Sequence, residues 1–185
     1  MRIALAEKKI PWEPILVNLR AKEQKRSEFL SLNPNGTVPV IRDGDTLLYD
    51  STIINEYLEE QYPQASLTFP DPPRRGKVRQ WEDFGDNSFM RPAENIFIRD
   101  KGWRTFEEEA IRGFRQKIQE SLAYVEKALE GKEYLMGRFT YADIAFAPRI
   151  ILLDQLGISL PQEFVNIPAW IDRLKKRPSL ANLER

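Results

Sequence analysis

The chain contains neither cysteine nor histidine, and these two absences remove most of the familiar routes to chemistry. Without thiols there is no disulfide framework, no cysteine metal site and no thiol nucleophile. Without imidazole there is no Ser-His or Cys-His dyad, no histidine zinc site and no side chain that ordinarily titrates near neutrality. No metal is expected. Chemistry must run through hydroxyls, carboxylates, backbone groups or a reactive atom that a ligand brings. An excess of charge of either sign is also lacking, since 28 lysines and arginines balance 28 aspartates and glutamates. The field as a whole therefore draws in neither nucleic acid nor an acidic membrane. The densest basic run, Arg74, Arg75, Lys77 and Arg79, has one aromatic neighbour, Trp81, and reads as a solvated helix start. No apolar run approaches the roughly 18 residues of a membrane span, and without a long apolar stretch or small-residue cleavage site after it the Met-Arg-Ile-Ala start is not expected to be a signal peptide. The expectation is a cytoplasmic protein whose partners include no nucleic acid and no membrane.

What is present is a 42% hydrophobic composition over 185 residues, enough for one compact domain or two small ones. Ile3, Ala6 and Ile10 recur at helical spacing and "PWEP" ends the pattern. Arg2 and the terminal ammonium put positive charge at the positive end of that helix with no cap before them, so it reads as a back half. A strand is expected over residues 14–19, a polar helix over 22–32, and a hairpin from strands 38–41 and 46–49 around "RDGD". A helix follows over 51–62, with Ile54 and Leu58 on one face. Residues 63–73 hold four prolines and read as a stiff connector. Beyond it the strand signals nearly vanish, and helices are expected over 74–99, 105–129, 141–156 and 167–176. A small α/β unit thus precedes an all-helical one.

Three short stretches stand out. Pro39 interrupts an apolar strand; it offers no N–H and fixes its own φ. A trans proline on an edge strand would explain it, whereas a cis bond would turn the Val38 N–H and C=O outward, where an extended peptide could pair with them. Asp50-Ser51 lies where a strand passes into a helix, and the first turn of a helix suits a carboxylate. Either residue could instead cap that helix, and the two roles can coexist. In "FTYADIAFAP", Thr140 and Asp143 have capping-box spacing with Asp in place of Glu or Gln, which assigns them to folding.

The stretch "FLSLNPNGTVPVI…LLYDSTIINEYLEEQYP" resembles the glutathione-site segment of the soluble glutathione transferases, and "YLMGRFTYADIAFAP" is similar to the buried helix motif of their C-terminal domain. The likeness covers nearly all of the chain. It implies a thioredoxin-like domain over 1–63, a linker over 64–73 and an all-helical domain over 74–185, with a homodimer as the usual assembly and Pro39 cis. It further implies glutathione as co-substrate and a small electrophile as the second substrate, in detoxification or stress response. By position, Val38 matches the residue whose backbone pairs with the cysteinyl unit, Pro39 the cis-proline beside it, and Ser51 the serine that holds the γ-glutamyl carboxylate. Asp50 stands where Glu or Gln is usual, and Thr37 where many members carry Gln or Lys. Gln24 and Lys25 lie near a position that often contacts the glycine carboxylate. Phe84, Ser88, Arg91 and Asn95 form a helical stripe that could face the electrophile, although such stripes are more often packing.

The likeness departs at the start. Members of the family begin with a strand and a loop bearing the catalytic Tyr, Ser or Cys, whereas "MRIALAEKKIPWE" resembles only the end of their first helix. On average element lengths, roughly 10–20 residues of the pattern are not represented. The strand in question lies between those represented by 14–19 and 38–41, so both neighbours are expected to lack a partner. The catalytic group donates to the glutathione sulfur and favours thiolate, and no residue here is assigned that task. The alternatives are a non-catalytic domain of this fold used for protein assembly, and an inactive fragment. Sequence alone does not choose the electrophile, nor conjugation over peroxide reduction, isomerisation or dehalogenation.

Overall fold

The computed structural model describes residues 1–180; the end of the expected 74–185 domain lies outside them. The chain divides after Ser66 into two compact units. In the first, helix α1 (Arg2–Glu7) buries Ile3, Ala4 and Leu5, and Met1 supplies no side-chain cap. Lys8 follows with its side chain fully buried against Glu59 at 2.9 Å. The same ammonium donates to the carbonyl oxygens of Tyr62 (2.8 Å) and Gln64 (3.3 Å). Those partners replace the water that a buried cation gives up.

Residues 14–19 form no strand, contrary to the pattern of their side chains. A strand exists only where its N–H and C=O groups find a neighbour, and the sheet among the described residues has two strands, neither of which pairs with this segment. Ile15 and Leu16 are accordingly 88% and 91% exposed. The expected helix over 22–32 is also broken up. Lys22 takes a left-handed φ of 55° and Arg26 is extended, leaving a 3-10 turn (Glu23–Lys25) and one helical turn, α2 (Ser27–Leu30).

The hairpin forms from β1 (Val40–Asp43) and β2 (Thr46–Tyr49), paired antiparallel from Val40↔Tyr49 to Asp43↔Thr46. Gly44 takes φ 57° at the first position of the two-residue turn, where a positive φ matches the strands' twist. Helix α3 (Ser51–Gln61) buries Ile54 and Leu58. It and the residue after it hold the hairpin through Asp43, whose Oδ2 accepts from the hydroxyls of Tyr57 (2.9 Å) and of Tyr62, just past the helix (2.6 Å). The Tyr62 and Tyr57 hydroxyls hold the Asp43 carboxyl below its ordinary range, and hydrogen bonding to that carboxylate pushes both phenols up.

From Leu67 on, the chain is helical. Helix α4 (Pro72–Phe84) opens on two residues of the expected connector, with Asp71 accepting from the Arg74 amide at 3.0 Å. Proline suits a first turn, where the N–H has no partner in any case. A π-helix (Gly85–Met90) joins α4 to α5 (Arg91–Asp100). Gly85 fits there because a Cβ would come within 3.0 Å of Ala145 and Phe146. The long α6 (Glu108–Ala128) buries Ile111, Ile118, Leu122 and Val125, and α8 (Asn166–Lys175) buries Ile167, Trp170 and Leu174. Val165 gives α8 no side-chain cap; Glu126 of α6 does so instead, accepting from the amides of Val165, Asn166 and Ile167 at 2.8–2.9 Å.

At the centre lies α7 (Tyr141–Ile150), with Phe146 fully buried between the rings of Phe89 (5.5 Å) and Trp170 (6.0 Å). The Thr140–Asp143 capping box forms and does more than close a helix. Buried Asp143 accepts from the amides of Leu135 (3.0 Å) and Thr140 (2.9 Å), from the Thr140 hydroxyl and from Trp170 Nε1 (3.1 Å). Burial nevertheless pushes its carboxyl up to about 6, against the pull of these donors.

Candidate functional site

The hairpin register gathers the first group of candidate residues. Because Val40 faces Tyr49, the residues preceding β1 and those following β2 emerge at the same end of the ladder. Pro39 and Asp50 therefore flank the last pair of the ladder, with Val38, Thr37 and Ser51 next along the chain. The Val38–Pro39 peptide bond is cis, and Val38 is 42% exposed. Neither the N–H nor the C=O of Val38 takes a hydrogen bond among the described residues. One donor and one acceptor on an exposed, non-helical backbone can pair with an extended peptide.

Asp50 is the cap of α3. Its Oδ1 accepts from the amides of Thr52 (2.9 Å) and Ile53 (3.3 Å). To do so it adopts φ 75°, ψ 128°, a region that costs a non-glycine residue about 1–3 kcal/mol and that gathers at functional sites. The consequence falls on Ser51. With the next two amides occupied, Ser51 keeps its own N–H and hydroxyl, and neither has a partner among the described residues. Two donors at the positive end of an eleven-residue helix suit an incoming carboxylate.

Thr37 is held from behind by a residue that the sequence reading did not single out. Asn33 is fully buried; its Nδ2 donates to the Thr37 carbonyl (2.7 Å) and hydroxyl (3.2 Å), while its Oδ1 accepts from the Asn35 amide (2.9 Å). The "NPNG" run marks this loop, but it signals a helix break as readily as a loop organiser. Lys25 donates to the Asn35 carbonyl at 3.0 Å. Gly36 takes φ 59°, and a Cβ there would lie 2.8 Å from the Gln24 carbonyl, so the loop carrying Gln24 and Lys25 can close only onto glycine.

The second group lies in the other unit. Phe84 ends α4, Ser88 falls within the π-helix, and Arg91 and Asn95 lie on α5. The wider π turn changes their register. Phe84 and Phe89, five apart, both meet the ring of Phe146, so the four-residue steps that the stripe assumes do not hold through 85–90. Asn87 Nδ2 supports this wide turn by donating to the Asp83 carbonyl at 3.0 Å. Phe84 also packs on Tyr124 (5.0 Å) and Trp81 (5.7 Å), and Tyr124 is 55% exposed. Arg91 is exposed, while Ser88 and Asn95 are half-buried.

Residues 1–61 match the glutathione S-transferase N-terminal domain, and residues 88–178 match the glutathione S-transferase C-terminal domain. The chain belongs to the glutathione S-transferase family. Glutathione S-transferase F14 of Arabidopsis thaliana is 33% identical, over 94% of this chain and 73% of its own length. Glutathione S-transferase GstB of Escherichia coli K12 is 30% identical, over 96% of this chain and 88% of its own. The crystal structure of Gtt2 from Saccharomyces cerevisiae superimposes with a TM-score of 0.87 at 28% identity, covering 98% of this chain and 92% of that one. The transferase fold, a thioredoxin-like domain followed by a helical one, is thus that of this chain. No described group of three or more His, Cys, Asp or Glu residues could hold a metal ion, and no helix among the described residues is long and apolar enough to cross a membrane.

Proposed function

We propose that this transferase binds glutathione at the open end of its hairpin and joins the tripeptide's sulfur to small electrophiles. The supporting observation is the pairing of free donors: the Ser51 N–H and hydroxyl at the start of α3, beside the unengaged backbone of Val38. In this reading the γ-glutamyl carboxylate accepts from Ser51, and the cysteinyl backbone pairs antiparallel with the N–H and C=O of Val38. Asp50 holds the helix start in shape, and Thr37, braced by Asn33, borders the cysteinyl–glycine end near Lys25.

Conjugation itself requires the thiolate. Its sulfur lone pair forms the new bond to an electrophilic carbon, the leaving group departs with the electrons of the bond that breaks, and the thiol proton goes to solvent. No residue is assigned as donor to the sulfur. Phe84, Ser88, Arg91 and Asn95 are proposed to border the electrophile, and detoxification or stress response in the cytoplasm, as a homodimer, completes the reading. Titration calorimetry with reduced glutathione tests it, alongside turnover of an aromatic chloride. Saturable binding that weakens in Ser51→Ala supports the reading, and absence of binding by the wild-type chain ends it.

A second reading, a non-catalytic domain that docks other proteins, draws on the exposure of Ile15 and Leu16. Light scattering and capture of a partner by a chain that leaves glutathione untouched would favour it.

A further inference from the structure

The helical unit has a cavity of about 310 Å³ between the end of α7, the following connection and one face of α8. Its apolar lining comes from Ile158, 5% exposed, and from the half-buried Leu160 and Ile171. The mouth is charged: Asp154 from the connection and Asp172 and Lys175 from α8 line it. None of these three side chains takes a hydrogen bond or ion pair among the described residues. Neighbouring charges are turned elsewhere, since Arg115 donates to the Gly157 carbonyl at 2.8 Å and Arg173 to the Glu133 carbonyl at 2.9 Å.

We infer that this cavity binds a small zwitterion with an apolar tail, of the class of a free aliphatic α-amino acid. Asp172 and Lys175 are three apart on α8 and so share a face, with roughly 5–6 Å between their Cβ atoms. That step matches a molecule whose ammonium and carboxylate sit on one carbon, the ammonium toward Asp172 and Asp154 and the carboxylate toward Lys175. The tail then reaches Ile158, Leu160 and Ile171. A volume at the lower end of ligand pockets suits a metabolite rather than a larger ligand. The site involves none of the residues proposed to hold glutathione.

Two-dimensional amide NMR with L-leucine as the probe tests this. Saturable shifts are expected at residues 158–160 and 168–175. Binding should weaken about three- to tenfold for 3-methylbutylamine, which lacks the carboxylate, and for 4-methylpentanoate, which lacks the ammonium. Asp172→Asn and Lys175→Gln, both at exposed positions, should weaken leucine to the same degree while the folded spectrum persists. Glycine, without a tail, should give no saturable shift. The inference is overturned if leucine gives none, if its shifts fall elsewhere, or if both variants bind it as tightly as the wild type.

Discussion

Asp50 Oδ1 accepts from the Thr52 amide at 2.9 Å, and the bond decides what the start of α3 has left to offer. A cap that engages the second and third amides of the helix leaves the first, with the hydroxyl beside it, to a ligand. The sequence admits capping and ligand binding at Asp50-Ser51 as rivals or companions; the geometry gives the cap to Asp50 and leaves Ser51 free for the proposed ligand.

If Ser51 donates to a carboxylate, Ser51→Ala removes one charge-assisted hydrogen bond. Glutathione affinity should fall on the order of tenfold to a hundredfold, with unfolding free energy unchanged within about 0.5 kcal/mol. Calorimetry and urea denaturation measure the two. Equal affinity in the variant would remove Ser51 from the site.

Asp50 carries both a cap and a positive φ, which separate variants can distinguish. Asp50→Ala loses the cap and leaves a Cβ in an unfavourable region, so a loss above about 1 kcal/mol is expected. Asp50→Gly loses the cap but accepts the dihedral freely, and should be the more stable of the two. Urea unfolding ranks them, and the reverse order would contradict the account of this turn.

Asp143 gives a pH dependence of definite sign. Its carboxyl rises from the ordinary 3.8 to about 6 on folding, so between these values the folded chain holds the proton more tightly than the unfolded one. The stabilising contribution is complete below pH 4, declines as pH rises toward 6, and is gone above it; the integral is about 3 kcal/mol. Asp143→Asn cannot titrate, so the stability of the wild type relative to that variant should fall across pH 4 to 6 and then level. A difference flat across that range would contradict the assignment.

Arg91 is exposed, and no hydrogen bond or ion pair engages its side chain among the described residues. Arg91→Ala should leave stability and glutathione affinity unchanged while altering kcat/KM for anionic electrophiles relative to neutral ones. A uniform change across electrophiles would argue against its bordering that site.

Local rules carried much of the fold. The hairpin was legible from "RDGD" between apolar runs, α3 from Ile54 and Leu58, and the capping box from the spacing of Thr140 and Asp143. Residues 14–19 misled because a β-rich side-chain pattern says nothing about whether a neighbouring strand supplies hydrogen bonds. The π-helix escaped because a 3.6-residue period was assumed throughout 74–99, and the close approach of Gly85 to Phe146 at its start is a tertiary contact. Of the candidate site, the residue types at 37–39 and 50–51 could be read directly. Asn33 could not, since an asparagine in "NPNG" looks the same whether it breaks a helix or braces Thr37, and the reach of Asp143 to Trp170 spans 27 positions.

The most direct test is a crystal structure of this chain soaked with reduced glutathione. The γ-glutamyl carboxylate is expected on the Ser51 amide and hydroxyl, with the cysteinyl backbone hydrogen-bonded to Val38. Glutathione bound elsewhere, or an empty hairpin end at saturating tripeptide, would contradict it.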